Sequence, residues 1–188
     1  MNSTHERLDT LRRHVYRNTD DRVYGVLDGA SNPRLLSLLN EHDVDHVCLF
    51  RGELEPEVAM TAPYLVHLPP KSSFTDLVLL QQGWGQHWGI LAISQADMRT
   101  LRQHFRKLTM VSEPAGKPLY FRYYDPRVLR NYLPTCTSHA LRTMFGPVSA
   151  FLAEGIEPDT LLRFASDGAA LACETLAVGP RAKHARRG

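Results

Sequence analysis

The stretch from Gly116 to Cys136, GKPLYFRYYDPRVLRNYLPTC, holds a turn, a strand and a helix in twenty-one residues and constrains the fold more than any other part of the chain. Gly116 and Pro118 bracket the turn. The aromatic-dense run from Leu119 to Tyr124 favours a pleated surface, where flat rings pack across strands. Side chains alternate along a strand, so Leu119, Phe121 and Tyr123 are expected on one face and Tyr120, Arg122 and Tyr124 on the other. Asp125 stands where a helix N-cap belongs. Pro126 takes the first helical position, where its missing N–H and fixed φ cost nothing. Val128, Leu129, Tyr132 and Leu133 then form an apolar stripe that Pro134 closes. This spacing gathers Arg122, Asp125, Arg127 and Arg130 at one corner between strand and helix.

Upstream, the pattern alternates between strand and helix. Leu8, Leu11 and Val15 give an amphipathic helix within residues 1–20, and Val23 to Leu27 reads as a buried strand ended by the turn Asp28-Gly29. A helix over Arg34 to Asn40 and a strand over Val44 to Phe50 complete a strand–helix–strand unit, which predicts a parallel pair. After a polar connection from Arg51 to Thr61, Tyr64 to Leu68 is a third strand. Ser73 with Asp76, and Ser94 with Asp97, resemble capping boxes that open helices after the third strand and after a fourth at Ile90 to Ile93. Met98, Leu101, Phe105 and Leu108 mark the buried face of the second of these helices. Its Arg99, Arg102, Arg106 and Lys107 read as a solvated basic face. Ser138 to Met144 is expected helical and Pro147 to Leu152 extended. The expectation is an α/β fold, a single compact domain with a mixed, partly parallel sheet flanked by helices. The body spans 21–165, followed by a helical segment over 166–178 and a disordered basic tail over 179–188.

Composition excludes several classes. Hydrophobic residues make up 43% and charged residues 22% of the 188-residue chain, and no apolar run reaches the about 18 residues of a membrane span. The N-terminus, MNSTHERLDTLRRH, lacks the apolar region of a secretory signal, so a cytoplasmic location is expected. The formal charge of +2 arises from Arg181, Lys183, Arg186 and Arg187 in the last ten residues. Residues 1–178 carry 18 bases against 20 acids, a net −2, which argues against nucleic acid as a partner. Cys48, Cys136 and Cys173 are odd in number and lack CxxC spacing, against both a disulfide framework and a zinc cluster.

Four constellations carry possible chemistry. Gly83, Gly85 and Gly89 precede a strand instead of opening a helix, the wrong order for cradling a phosphate, so Trp84 and Trp88 are read as core or partner contacts. Asp28 lies where α/β enzymes place catalytic groups, against the favoured reading of a turn residue bonding its own backbone. His42, His46 and Cys48 have metal-compatible types but straddle a helix-to-strand change, so no metal site is assigned. Cys136 with His139 has the types of a nucleophile and base, without the third orienting group. No cofactor is expected.

The string FRYYDPRVLRNYLPTC, with VYGVLDGA near the start, APYLV at Ala62 to Val66, GWGQHWGI at Gly83 to Ile90 and FGPVSAFL at Phe145 to Leu152, resembles one family in motif order. It is similar to the type VI secretion adaptor/chaperone domain, long catalogued only as a domain of unknown function. The resemblance covers roughly residues 22–165 and implies a cytoplasmic, non-enzymatic adaptor that binds a cognate effector protein and helps load it onto the VgrG spike, with no membrane or nucleic-acid partner. Such an adaptor needs aromatic anchors and arginine contacts, the types that dominate binding hot spots. The partner-binding candidates are Tyr64, Trp84, Trp88, Tyr120, Arg122, Tyr124, Asp125, Arg127 and Arg130. Longer members carry a C-terminal lobe, whereas this sequence stops soon after Leu161-Leu162-Arg163-Phe164, which suggests a minimal adaptor. The rival class is a small cytosolic α/β hydrolase-like enzyme using Asp28 or Cys136 with a histidine.

The basic tail lacks the apolar residues that would offset its ordering entropy. Deleting residues 179–188 is expected to leave the thermal midpoint nearly unchanged, and a large drop in melting temperature would show that the tail docks on the body.

Overall fold

Four strands of this chain are apolar almost without interruption, because both faces of the sheet they build are covered. The structure, a computed structural model, describes residues 2–112 and 118–179. The basic tail beyond Gly179 and the start of the turn at Gly116 lie outside the described residues. The main sheet contains β1 (Arg22–Asp28), β2 (His46–Cys48), β3 (Pro63–His67), β4 (Gly89–Ser94), β7 (Ala150–Glu154), β8 (Thr160–Ser166) and β9 (Leu171–Ala177), in the order β2-β3-β1-β4-β7-β8-β9. A separate hairpin pairs β5 (Met110–Ser112) with β6 (Pro118–Tyr120).

Every pairing in the sheet is antiparallel, which corrects the expected partly parallel sheet. The strand–helix–strand unit does exist. α2 (Leu35–Glu41) connects β1 to β2, and the two strands run in the same direction. They are not neighbours, because β3 inserts between them and pairs with both. Continuous apolar strands report burial on two faces. That burial usually accompanies parallel sheets, but it does not set strand direction.

Alternation sorts the strand residues into two cores. Val23, Leu27, Tyr64, Val66, Leu91, Ile93 and Leu152 face the first, with Leu11 and Val15 of α1 (Asn2–Val15), Leu35, Leu38 and Leu39 of α2, and Phe74 of α4 (Ser73–Asp76). Tyr24, Val26, Leu65, Ile90, Ala92 and Phe151 face the second. Covering them are Leu101 and Phe105 of α5 (Met98–Leu108), Leu129 of α6 (Pro126–Tyr132), and Met144 and Phe145 of α7 (Ser138–Phe145). The result is three layers, with helices on both sides of an antiparallel sheet.

Several local expectations are corrected. The connection after Arg51 contains α3 (Pro56–Thr61), opened by Pro56 at its first position. Asp97, not Ser94, caps α5, its carboxylate accepting the Thr100 N–H at 2.8 Å. Ser94 instead donates to the Pro147 carbonyl. The expected helix over 166–178 is strand β9, paired with β8 from Leu171 to Ala177. The segment LACETLA is rich in helix formers, yet seven ladder positions beside β8 override that preference. β6 also ends at Tyr120, and the chain turns at Tyr123, so Tyr123 and Tyr124 are both buried instead of alternating.

The helix opened by α4 continues as a π-helical turn, Leu77–Gln81, before the tryptophan loop. A Cβ at Gly83 would lie 2.2 Å from the Val78 carbonyl oxygen, so only glycine lets the chain leave this wide turn so closely.

Phe105 stands at the centre of the second core, stacked on Tyr123 and tilted against Phe151. Phe105→Ala is expected to lower unfolding free energy by about 3–5 kcal/mol, read from urea denaturation. A loss below about 1 kcal/mol would mean that the second core repacks around the cavity.

Candidate functional site

β2, β1 and β7 run in the same direction, and register aligns Cys48, Leu27 and Glu154 at one end of the sheet. Carbonyls and acids that leave a doubly covered sheet at this end need donors. Three arginines from the second-face layer supply them. Arg106 of α5 donates to the carbonyls of Cys48, Leu49 and Phe50 beyond β2. Arg122 pairs with the Asp28 carboxylate at the end of β1. Arg130 of α6 donates to the carbonyls of Glu154 and Gly155 beyond β7, at 3.3 Å each.

Asp28 is only 1% exposed, and a buried carboxylate is costly unless its acceptors are filled. Its second oxygen accepts from the Ser31 hydroxyl as well as from Arg122, and its first from the Ala30 N–H. Gly29 permits this geometry: a Cβ there would lie 2.3 Å from the Met60 carbonyl oxygen, and its N–H meets the Ala62 carbonyl. Asp28 is thus the turn residue expected from sequence and also the anchor of Arg122, a role that sequence reasoning missed. The signal was present: an acid directly ends the apolar run VYGVLD.

Three residues beyond Arg122, Asp125 caps α6 through the Arg127 N–H at 2.9 Å. Its two oxygens also accept from the Arg127 guanidinium, at 3.0 and 2.7 Å. Burial pushes its pKa up, but the side-chain and backbone hydrogen bonds from Arg127 outweigh this and hold it below the usual range. Tyr124, buried beside this network, has its phenol pushed up to about 12 by burial and then by the Asp28 charge. Arg122 and Arg127 remain 44% and 53% exposed along their side chains, although each is clamped by a buried carboxylate.

The partner-binding candidates therefore divide. Arg122, Tyr124, Asp125 and Arg127 form one network, and Arg130 extends the same rim. Tyr124 and Asp125 are buried and act as positioning groups. Tyr64 is buried, its hydroxyl donating to the Ala59 carbonyl. Trp88 is buried and Trp84 half-buried, both walling an apolar recess with Leu27, Val78 and Leu152. Tyr120 stands apart on the hairpin, 68% exposed, its ring 5.4 Å from Phe50.

The other constellations are dispersed or differently engaged. His42 meets the Ser73 hydroxyl and His46 the Val44 carbonyl. Among the described residues the side chains of Asp28 and Cys136 bond to the Ala30 N–H, Ser31, Arg122 and the Tyr132 carbonyl, and none of these partners is a histidine. Burial pushes the Cys136 thiol up, away from the thiolate. All three cysteines are free. His87 and Glu154, which sequence reasoning overlooked, approach to 3.0 Å between Nδ1 and a carboxylate oxygen, and burial raises the Glu154 carboxyl despite the nearby imidazole. Among the described residues no helix is long and apolar enough to cross a membrane.

The fold is thus a three-layer α/β domain on an antiparallel sheet, with an arginine rim at one end. Residues 23–143 match the family described as a domain of unknown function (DUF4123), and the chain belongs to that family. The match runs from β1 to within α7, so β7, β8 and β9 lie beyond it. No curated protein and no solved structure matches the chain.

Asp125→Ala is expected to cost about 1 kcal/mol through loss of the cap, while Asp125→Asn keeps the cap and loses only the charge. Because the Asp125 pKa is depressed on folding, the stability due to its charge is fully present above about pH 4 and lost as pH falls through the folded value. Urea midpoints at neutral pH should rank wild type, Asn, Ala. The gap between wild type and Asn should close on acidification, and identical midpoints at neutral pH would show that the Arg127 pair adds nothing.

Proposed function

We propose that this protein is a type VI secretion adaptor that binds a cognate effector in the cytoplasm and assists its loading onto the VgrG spike. The motif series from VYGVLDGA to FGPVSAFL supports this reading, and membership of the family is compatible with it. The single observation that carries the binding role is the rim at which Arg122 and Arg127 are held by buried Asp28 and Asp125 while half of each side chain stays open. A guanidinium fixed on one side loses less freedom when its other edge meets a partner carboxylate.

The effector is taken to be the product of a neighbouring gene. Co-expression is expected to raise that product's solubility, and a tagged adaptor should recover it together with VgrG. Arg127→Gln, which keeps a donor for the Asp125 carboxylate, should weaken recovery, with the melting temperature measured alongside because Arg127 also neutralises buried Asp125. If pull-downs with every neighbouring-gene product and with VgrG recover nothing, the adaptor reading fails.

A further inference from the structure

Several of the exposed large apolar side chains, though not Ile156, gather beside the rim. Val58 of α3, Met110 of β5 and Tyr120 of β6, exposed to 42%, 44% and 68%, line a groove of about 430 Å³ together with Leu49, Phe50 and Leu54. Val111 and Leu119, at 42% and 38%, pair on the adjoining rung of the hairpin. Apolar surface clustered in this way marks an interaction site more often than a stray exposed residue does.

The polar lining is of one sign. Among the described residues Arg51, Arg106 and Lys107 border the groove and no carboxylate does; Glu53, Glu55 and Glu57 belong to the same loop and helix but are not among its walls. None of these three cations is in an ion pair among the described residues. Arg106 is locked onto the carbonyls of Cys48, Leu49 and Phe50, so its charge is fixed at the groove wall. Burial, then the like charges of Arg102 and Arg51, bear against its protonated form. A polyanion such as nucleic acid fits less well, because the lining is largely apolar and residues 1–178 carry net negative charge.

We propose that this groove docks a short acidic segment of a partner polypeptide, its apolar side chains entering beside Phe50 and Tyr120 and its carboxylates meeting Arg51, Arg106 and Lys107. This deepens the adaptor reading and rests on it. Tyrosine and arginine are the types most often found to dominate such contacts.

The test uses the full chain labelled with ¹³C at its methionine methyls. Met110 reports on the groove, and Met144, buried in the second core, serves as control. The probe is a synthetic helical peptide with Leu and Phe spaced three and four residues apart and Glu between them, compared with the same peptide carrying Lys for Glu. The acidic peptide is expected to shift the Met110 resonance and leave Met144 unmoved, more weakly at high salt. The double variant Tyr120→Ser, Lys107→Glu, both positions exposed, should weaken binding about tenfold or more at unchanged melting temperature. No Met110 shift up to about 1 mM peptide overturns the proposal. Equal binding of the Lys peptide, a stronger response to an oligothymidine, or self-association through the groove overturns it too. A neighbouring-gene product that still co-purifies with the double variant removes the groove and leaves the adaptor reading standing. Failure of every pull-down, with the acidic peptide still bound at Met110, does the reverse.

Discussion

The buried carboxylate of Asp28 is the constraint around which the second-face layer is arranged. It ends a strand whose neighbours β3 and β4 flank it on both sides, in a sheet whose faces are sealed by helices. Water cannot neutralise it there, so the fold must. Ser31 and Ala30 provide two donors from the local turn, and Arg122 provides the countercharge from ninety-four residues further along the chain. Removal of Arg122 would leave a desolvated charge with two neutral partners, a far greater loss than a surface ion pair represents. The pair therefore fixes where the segment leading into α6 crosses the end of the sheet.

Arg106 and Arg130 repeat the device with backbone carbonyls in place of a carboxylate. An antiparallel sheet sends alternate strands out of the same end, and here β2, β1 and β7 leave together with their acceptors in line. Each acceptor group is met by a guanidinium from the layer above the second core. The Arg130 Nε has no hydrogen-bond partner among the described residues, so this third contact is less complete than the other two.

Much of the layering was legible in the sequence, because burial on two faces writes itself as apolar runs and amphipathic helices. Strand direction was not. VYGVLD, PYLVH and GILAIS would look the same in either orientation, and the insertion of β3 between β1 and β2 depends on long-range pairing that local pattern does not encode. The segment LACETLA misled for a related reason, since its residues favour a helix until β8 offers a ladder. At the site, the Asp125 cap and its Arg127 partner followed from spacing alone, being two residues apart. The Asp28 partnership did not, and neither did the attachment of Arg106, whose place on a basic helical face reads as solvation until the carbonyls of Cys48 to Phe50 are seen beneath it.

The extended segment from Pro118 to Arg122 joins the two halves of the candidate surface. Tyr120 stands at the groove and Arg122 on Asp28, with Phe121 between them bonded through its N–H to the Thr109 carbonyl. Five residues of chain thus carry both the Asp28 ion pair, which stabilises the fold, and the exposed ring of Tyr120. A peptide seated beside Tyr120 would bear on the same short segment that carries the Asp28 ion pair. On the proposed reading, the occupancy of the groove and the docking of the α6 layer would share free energy through this segment.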